Sequence, residues 1–164
     1  MTASQKNVLI VSYFYPPAGG AGSIRITKFV KYLPHFGWSP IVLTTKDPES
    51  PLRDESLREE IPDGTVTIRT RSIEPTKWKI KKIISDNAER KEPAKPLSKI
   101  SRWVRSLVKG LVNRWVFIPD SRIGWIPFAV CAGLLTIKRK NISVVVASGT
   151  PWSSLVIGAL LSSL

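Results

Sequence analysis

An α/β fold built on a doubly wound parallel sheet is the fold class that three features of this sequence predict. Short β-favouring runs recur along the chain, helical periodicities lie between them, and a glycine-rich loop follows the first run directly. Strands buried on both faces read as near-continuous apolar stretches, and their alternation with helices implies parallel crossovers.

Val8-Leu9-Ile10-Val11-Ser12-Tyr13 is such a stretch and reads as the first strand. Pro16, Pro17, Gly19, Gly20 and Gly22 then break the chain, and from Ser23 apolar residues fall at Ile24, Ile26, Phe29, Val30 and Leu33. That spacing is helical, with Ser23 in the position of an N-cap and Gly37 just past the end. Pro40–Thr45 reads as a second strand and completes a strand, helix, strand unit whose crossover is expected to be right-handed. Residues 46–64 mix acids, prolines and bases without a period and read as a loop, whereas Val66–Arg71 alternates as a third strand.

Residues 85–96 form a polar, proline-containing linker, and from Leu97 to Trp115 the apolar residues return at helical spacing. Ile123–Ile137 is apolar for about four turns, shorter than the roughly 20 residues that span a bilayer. With Pro127 in its first turn, it reads as a buried domain helix. Ile142–Ala147 is an all-apolar strand, Ser148–Pro151 a turn, and Trp152–Leu164 a last apolar helix. No internal repeat is visible.

Charge is distributed unevenly. Of the formal net charge of +13, residues 76–115 hold twelve Lys/Arg against three Asp/Glu, while residues 1–75 hold nine against eight. Such a block meets polyanions, either anionic lipid headgroups or nucleic-acid phosphates. The single cysteine, Cys131, excludes an intrachain disulfide and a cysteine-rich metal site. The apolar run Val8–Tyr15 ends at Pro16-Pro17, too short for a secretory signal or a spanning helix, so a cytoplasmic location is expected.

The loop Pro16–Ser23 carries the most chemical information, because glycines between a buried strand and a helix start let backbone N–H groups approach an anion. It departs from the dinucleotide fingerprint, since Arg25 stands where a third glycine would follow Gly20 and Gly22. No Gly-Lys-Ser/Thr follows, so it is not a P-loop either. A tight strand-to-helix turn would also account for the glycines. Arg25, read as two residues into the helix, stands where the dipole disfavours a cation, and an anionic partner would relieve that conflict. The plain alternative is a solvated arginine.

Residues Val8–Arg25, VLIVSYFYPPAGGAGSIR, followed by Leu33, Gly37-Trp38 and Pro40–Thr45, resemble the opening of the family-4 (group 1) glycosyltransferases of GT-B fold. Ile118-Pro119-Asp120 with Trp125, then Val144–Gly158, is similar to the same family's N-terminal, Rossmann-like domain. The resemblance spans nearly the whole chain apart from residues 46–100. It implies transfer of a sugar from a nucleotide-sugar donor to a lipid-linked or polysaccharide acceptor, with no metal and no cofactor beyond the donor substrate. It also implies that Gly19, Gly20 and Gly22, with Arg25 close by, line the cleft near the donor phosphates and the acceptor, and that Asp120 lies on the cleft side. In that setting Asp120 is the candidate catalytic base, against a simpler role as the N-cap of the following helix.

The paired glutamates and diphosphate-gripping bases of the family belong to its C-terminal domain, which these residues do not include. The histidine expected late in the N-terminal domain is missing too, since the one histidine, His35, falls at the end of the first helix and reads as a surface residue. Residues 1–164 are therefore expected to be an incomplete N-terminal domain, inactive alone, with 76–117 as a basic amphipathic insertion or linker.

Within that insertion, Lys99, Arg102, Arg105, Lys109 and Arg114 oppose an apolar side that includes Trp103 and Trp115. This pattern suits a helix in the headgroup layer of an anionic membrane, on its inner face. Packing of the apolar side on the domain itself is the plain alternative. Nucleic acid is not expected as a partner, because no recognition module accompanies the charge. Two rival functions stand beside the transferase: a non-catalytic Rossmann-like module that binds a membrane or a partner, and an NAD-type oxidoreductase. The second is disfavoured by Arg25, although Asp47 comes near the place of a ribose-binding acid.

Overall fold

The computed structural model describes residues 6–48, 50, 52–73 and 120–163. The chain divides into two compact units, one formed by Met1–Ser72 with Trp125–Leu164 and the other by Ile73–Gly124. The first holds a four-stranded, all-parallel sheet flanked by helices, a Rossmann-like α/β arrangement.

Strands β1 (Lys6–Val11), β2 (Trp38–Thr45), β3 (Val66–Thr70) and β4 (Ile142–Ala147) lie in the order β3-β2-β1-β4. Helix α1 (Ala21–Tyr32) and a 3₁₀ turn (Leu33–Phe36) connect β1 to β2, and the short helix α2 (Ser56–Glu59) lies between β2 and β3. A 3₁₀ turn at Ile123–Trp125 leads into α3 (Ile126–Lys140), and α4 (Ser153–Ser162) follows β4.

The two faces of the sheet bury different helices because side chains alternate along each strand. Val8, Ile10 and Val42 meet Ile26 and Val30 of α1, with Tyr15 beside them. Leu9, Val11, Tyr13, Ile41 and Leu43 meet Trp125, Ala129 of α3, and Ile157 and Leu161 of α4. Being covered on both sides is what makes β1 read as an unbroken apolar run. Helix α4 approaches β4 closely: a Cβ at Gly158 would stand 2.5 Å from the Ala147 Cβ, a contact only glycine relieves.

Several boundaries move for physical reasons. Helix α1 begins three residues earlier than the apolar spacing indicates, with Gly20 at its N-cap position (φ 97). Ser23 is therefore not the cap. It is fully buried inside the first turn, and its Oγ has no hydrogen-bond partner. Residues 46–64 are not loop throughout, because Asp54 Oδ1 accepts the Ser56 N–H (3.1 Å) and hydroxyl (2.6 Å) as α2 begins and buries Leu57. The apolar run Ile123–Ile137 splits into the 3₁₀ turn and α3, which extends through Lys138, Arg139 and Lys140, cations suited to a helix C-terminus. Strand β4 has the bounds expected from its sequence, and Gly37 (φ 76) closes the 3₁₀ turn after α1.

Among the described residues, no helix is long and apolar enough to cross a membrane. Lys99, Arg102, Trp103, Arg105, Lys109, Arg114 and Trp115, the expected membrane-binding set, lie outside the described residues, as do the linker 85–96 and the amphipathic segment.

Candidate functional site

The carboxyl ends of β1 and β4 lie side by side, yet the chain leaves β1 for one face of the sheet and β4 for the other. In open α/β sheets the crevice outside such a switch point is where ligands are received. Two loops border it here: Ser12–Gly20 after β1 and Ser148–Trp152 after β4. The ladder continues into both, since Ser12 N–H donates to Leu43 O (3.0 Å) and Ser148 N–H to Val11 O (2.9 Å).

Arg25 spans the crevice. From the second turn of α1 its Nη2 donates to Ser148 Oγ (2.5 Å) and to Gly149 O (3.2 Å). Both acceptors are neutral, and none of the ion pairs among the described residues includes Arg25. Because α1 starts at Ala21, Arg25 sits one turn in rather than at the helix start, so the dipole opposes its charge less than the sequence spacing implied. What remains is an exposed guanidinium fixed in direction by two neutral oxygens.

The three loop glycines do different work. Gly19 is buried, its N–H already donates to Leu52 O (2.9 Å), and a Cβ there would press on Leu52 and Asp54 at 3.2 and 3.3 Å. Gly20 holds φ 97 with open space where a Cβ would stand, and Gly22 has only ordinary contacts with Phe14. The open glycines are therefore Gly20 and Gly22, at the start of α1, where first-turn N–H groups have no intrahelical acceptors. The first turn of α4 lacks acidic residues, as does that of α1, and each buries a serine whose hydroxyl is unpartnered, Ser23 and Ser154.

A second tier of residues fixes the loops. Trp125 Nε1–H donates to Thr70 Oγ1 (2.7 Å), Thr70 donates to Thr44 O (3.3 Å), and Thr44 donates to Tyr13 O (3.1 Å), all within the buried carboxyl edge. Arg69 Nη2 reaches the Pro16 carbonyl at 2.5 Å. Burial pushes the Tyr15 phenol above its ordinary value against the pull of Thr67 and the Arg69 cation, and burial likewise lowers Arg69. At the turn after β4, Thr150 holds φ 57, an outlying conformation for a β-branched residue and of the kind found at binding sites.

Ser148, Gly149, Arg69 and the threonine chain escape a reading by motif, because each acts through hydrogen bonds to residues distant in the sequence. The signal that could have found Arg69 was an arginine set among the β-favouring residues Val66, Thr67, Ile68 and Thr70.

Between α1 and β4 the crevice opens into a cleft of about 530 Å³ lined by Val8, Ile10, Ile26, Phe29, Leu33 and Val146, with Arg25, Ser148–Thr150 and Trp152 at the carboxyl edge. Asp47 lies elsewhere, with Lys46, Arg53 and Ser50 around a hollow of about 260 Å³. Asp120 belongs to the unit Ile73–Gly124, where its Oδ1 accepts the Arg122 N–H at 2.8 Å in a local turn. His35 is exposed beside Tyr32, as expected of a helix-end residue. No group of three His, Cys, Asp or Glu able to hold a metal occurs among the described residues. No family model, curated protein or solved structure matches this chain.

Proposed function

We propose that this chain is the acceptor-side domain of a nucleotide-sugar-dependent glycosyltransferase that acts on a lipid-linked or polysaccharide acceptor at the inner face of a membrane. One observation carries the reading: Arg25, unpaired with any described carboxylate, is held across the β1/β4 switch point by Ser148 and Gly149. A cation in that place, with the amide groups of Gly20 and Gly22 at the start of α1, is suited to phosphate oxygens. The Gly20 and Gly22 amides would stabilise the charge developing on a departing nucleotide diphosphate, and Arg25 would hold a phosphate oxygen on the acceptor side. The donor's nucleoside would be held by a second domain, supplied by the same polypeptide or by another. Asp120 is the proposed general base toward the acceptor hydroxyl, and Arg122 is already a partner of its Oδ1.

The test is made at the native locus. Membranes from cells lacking the gene, and from cells carrying Arg25→Ala, are incubated with a panel of labelled nucleotide-sugars. Incorporation into lipid-extractable and polymeric fractions is then counted. Incorporation of one sugar should vanish on deletion and fall by roughly a hundredfold with Arg25→Ala. If no sugar responds to deletion, the transferase reading falls and a non-catalytic binding module takes its place.

A further inference from the structure

The cleft between α1 and β4 has two unlike ends. Over the sheet it is walled by hydrocarbon from Val8, Ile10, Ile26, Phe29, Leu33 and Val146, whereas its carboxyl edge presents Arg25, Ser148 and Gly149. This apolar wall is open to water: Phe29 is 51% exposed and Val146 38%, and Trp152 at the rim is 61% exposed. From Arg25 to Leu33 the wall runs about 12 Å at the helical rise. It continues past Phe29 and Leu33 into a hollow of about 350 Å³ formed with Lys28, Tyr32 and Phe36. The volume falls within the range of small-molecule sites, which are apolar with a few fixed polar groups.

Charge decides what fits. The guanidinium of Arg25 has only neutral acceptors, and α4, which begins at Ser153 next to Trp152, has no acidic residue in its first turn. Both favour a compact anion with several oxygens at that end. The walls favour a flexible chain with no polar atoms, since a polar group laid along them would lose its water without gaining a partner.

We propose that this cleft binds a long-chain phosphate ester, isoprenoid or acyl, with the phosphate at Arg25 and the chain along Ile26, Phe29, Leu33 and Val146. The inference rests on the transferase reading for its meaning, because such a molecule would be the carrier of the acceptor. Its binding does not depend on any transfer.

The experiment is calorimetric titration of the full chain with farnesyl monophosphate, farnesol and inorganic phosphate. Farnesyl monophosphate should bind at least about tenfold more tightly than either fragment, since it alone uses both ends. Arg25→Gln should bring it down to the level of farnesol, and Val146→Asp to the level of inorganic phosphate. Phe29→Asp, at an exposed helix position that folding tolerates, reads the same loss should Val146→Asp fail to fold. Farnesyl monophosphate no tighter than phosphate would leave only an anion site, and no tighter than farnesol only a greasy surface. Either result overturns the proposal, as does indifference to Arg25→Gln or Phe29→Asp. Binding that meets these expectations in a protein whose deletion affects no sugar incorporation would sink the transferase reading and spare this one. Deletion-sensitive incorporation without such binding would do the reverse.

Discussion

Strands β1 and β4 are neighbours, parallel and almost interchangeable in composition, yet they occupy different surroundings. In register, Val8 faces Val144 and Ile10 faces Val146. Val8 and Ile10 are 3% and 1% exposed, while Val144 and Val146 are 42% and 38% exposed. On the other face β1 is fully buried through Leu9 and Val11, and β4 is partly buried under α4, where Ala147 leaves no room for a Cβ at Gly158. The burial of an apolar strand is thus set by what lies over it, not by its own residues. Helix α1 covers β1 and stops short of β4, and of the two uncovered valines Val146 forms part of the wall of the cleft.

The largest expected effect tests the face on which the two strands are alike. Trp125 is fully buried there, meets Tyr13 edge-on at 5.5 Å between ring centres, and donates its indole N–H to Thr70. Trp125→Ala should cost about 3–5 kcal/mol in urea unfolding, through both the cavity and the lost hydrogen bond. Trp125→Phe, which keeps most of the packing and removes only the indole donor to Thr70, should cost clearly less. A loss under about 1 kcal/mol for the alanine variant would mean that this face is loosely held, and the contrast between closed and open faces would fail.

The same contrast explains how much was legible in the sequence. Strand β1 and helix α1 were readable because Leu9, Val11, Ile26 and Val30 are buried, although Ile24 and Phe29 of the same helical pattern are exposed. Strand β4 had the right bounds because Val145 and Ala147 pack partly buried against the core and its ends are marked by Asn141 and the Ser148–Pro151 turn. The openness of Val144 and Val146 could not be read, since exposed and buried valines look alike in a sequence. The N-cap of α1 is hidden from the sequence for a similar reason. Ser23 has the chemistry of a cap, but Gly20, whose positive φ no pattern displays, takes that place. The site was legible in part: Arg25, Gly20 and Gly22 were marked by their loop, while Ser148 and Gly149 lie 123 and 124 residues away and are joined to Arg25 only by the fold.

Paired valines give a sharper measurement of the difference between the strands. Val8→Ala should cost about 2 kcal/mol, as expected for removing buried methyl groups from a closed face. Val144→Ala, the same substitution at the partner position, should cost less than half of that, about 1 kcal/mol or under. Urea unfolding of the two variants side by side compares them with the chemistry held constant. Equal costs would mean that the β4 face is covered in solution, by a second copy of the chain for instance, and dilution would then reduce the Val144 effect alone.

The smallest effect lies along α1 itself, on the side away from β4. Lys28 and Lys31 both pair with Glu60, the latter at 3.0 Å, and tie the helix to the segment after α2. Lys28 first and Lys31 second hold the Glu60 carboxyl below its ordinary value, while Glu60 raises Lys31. A depressed carboxyl stabilises the fold at neutral pH, and that contribution is lost as the pH falls through its lowered folded-state value. The raised Lys31 contributes up to alkaline pH and is lost as the pH rises through its own value. Lys28 is exposed and Lys31 and Glu60 are partly so, and solvent and salt therefore screen the pairs and keep the effect small. Glu60→Gln should therefore flatten the acid limb of stability against pH without altering the neutral plateau much, and added salt should reproduce that flattening in the unaltered chain. An acid limb unchanged by both would show that α1 is held by its apolar face alone, which would leave the cleft side and the Glu60 side of the helix equally free to move.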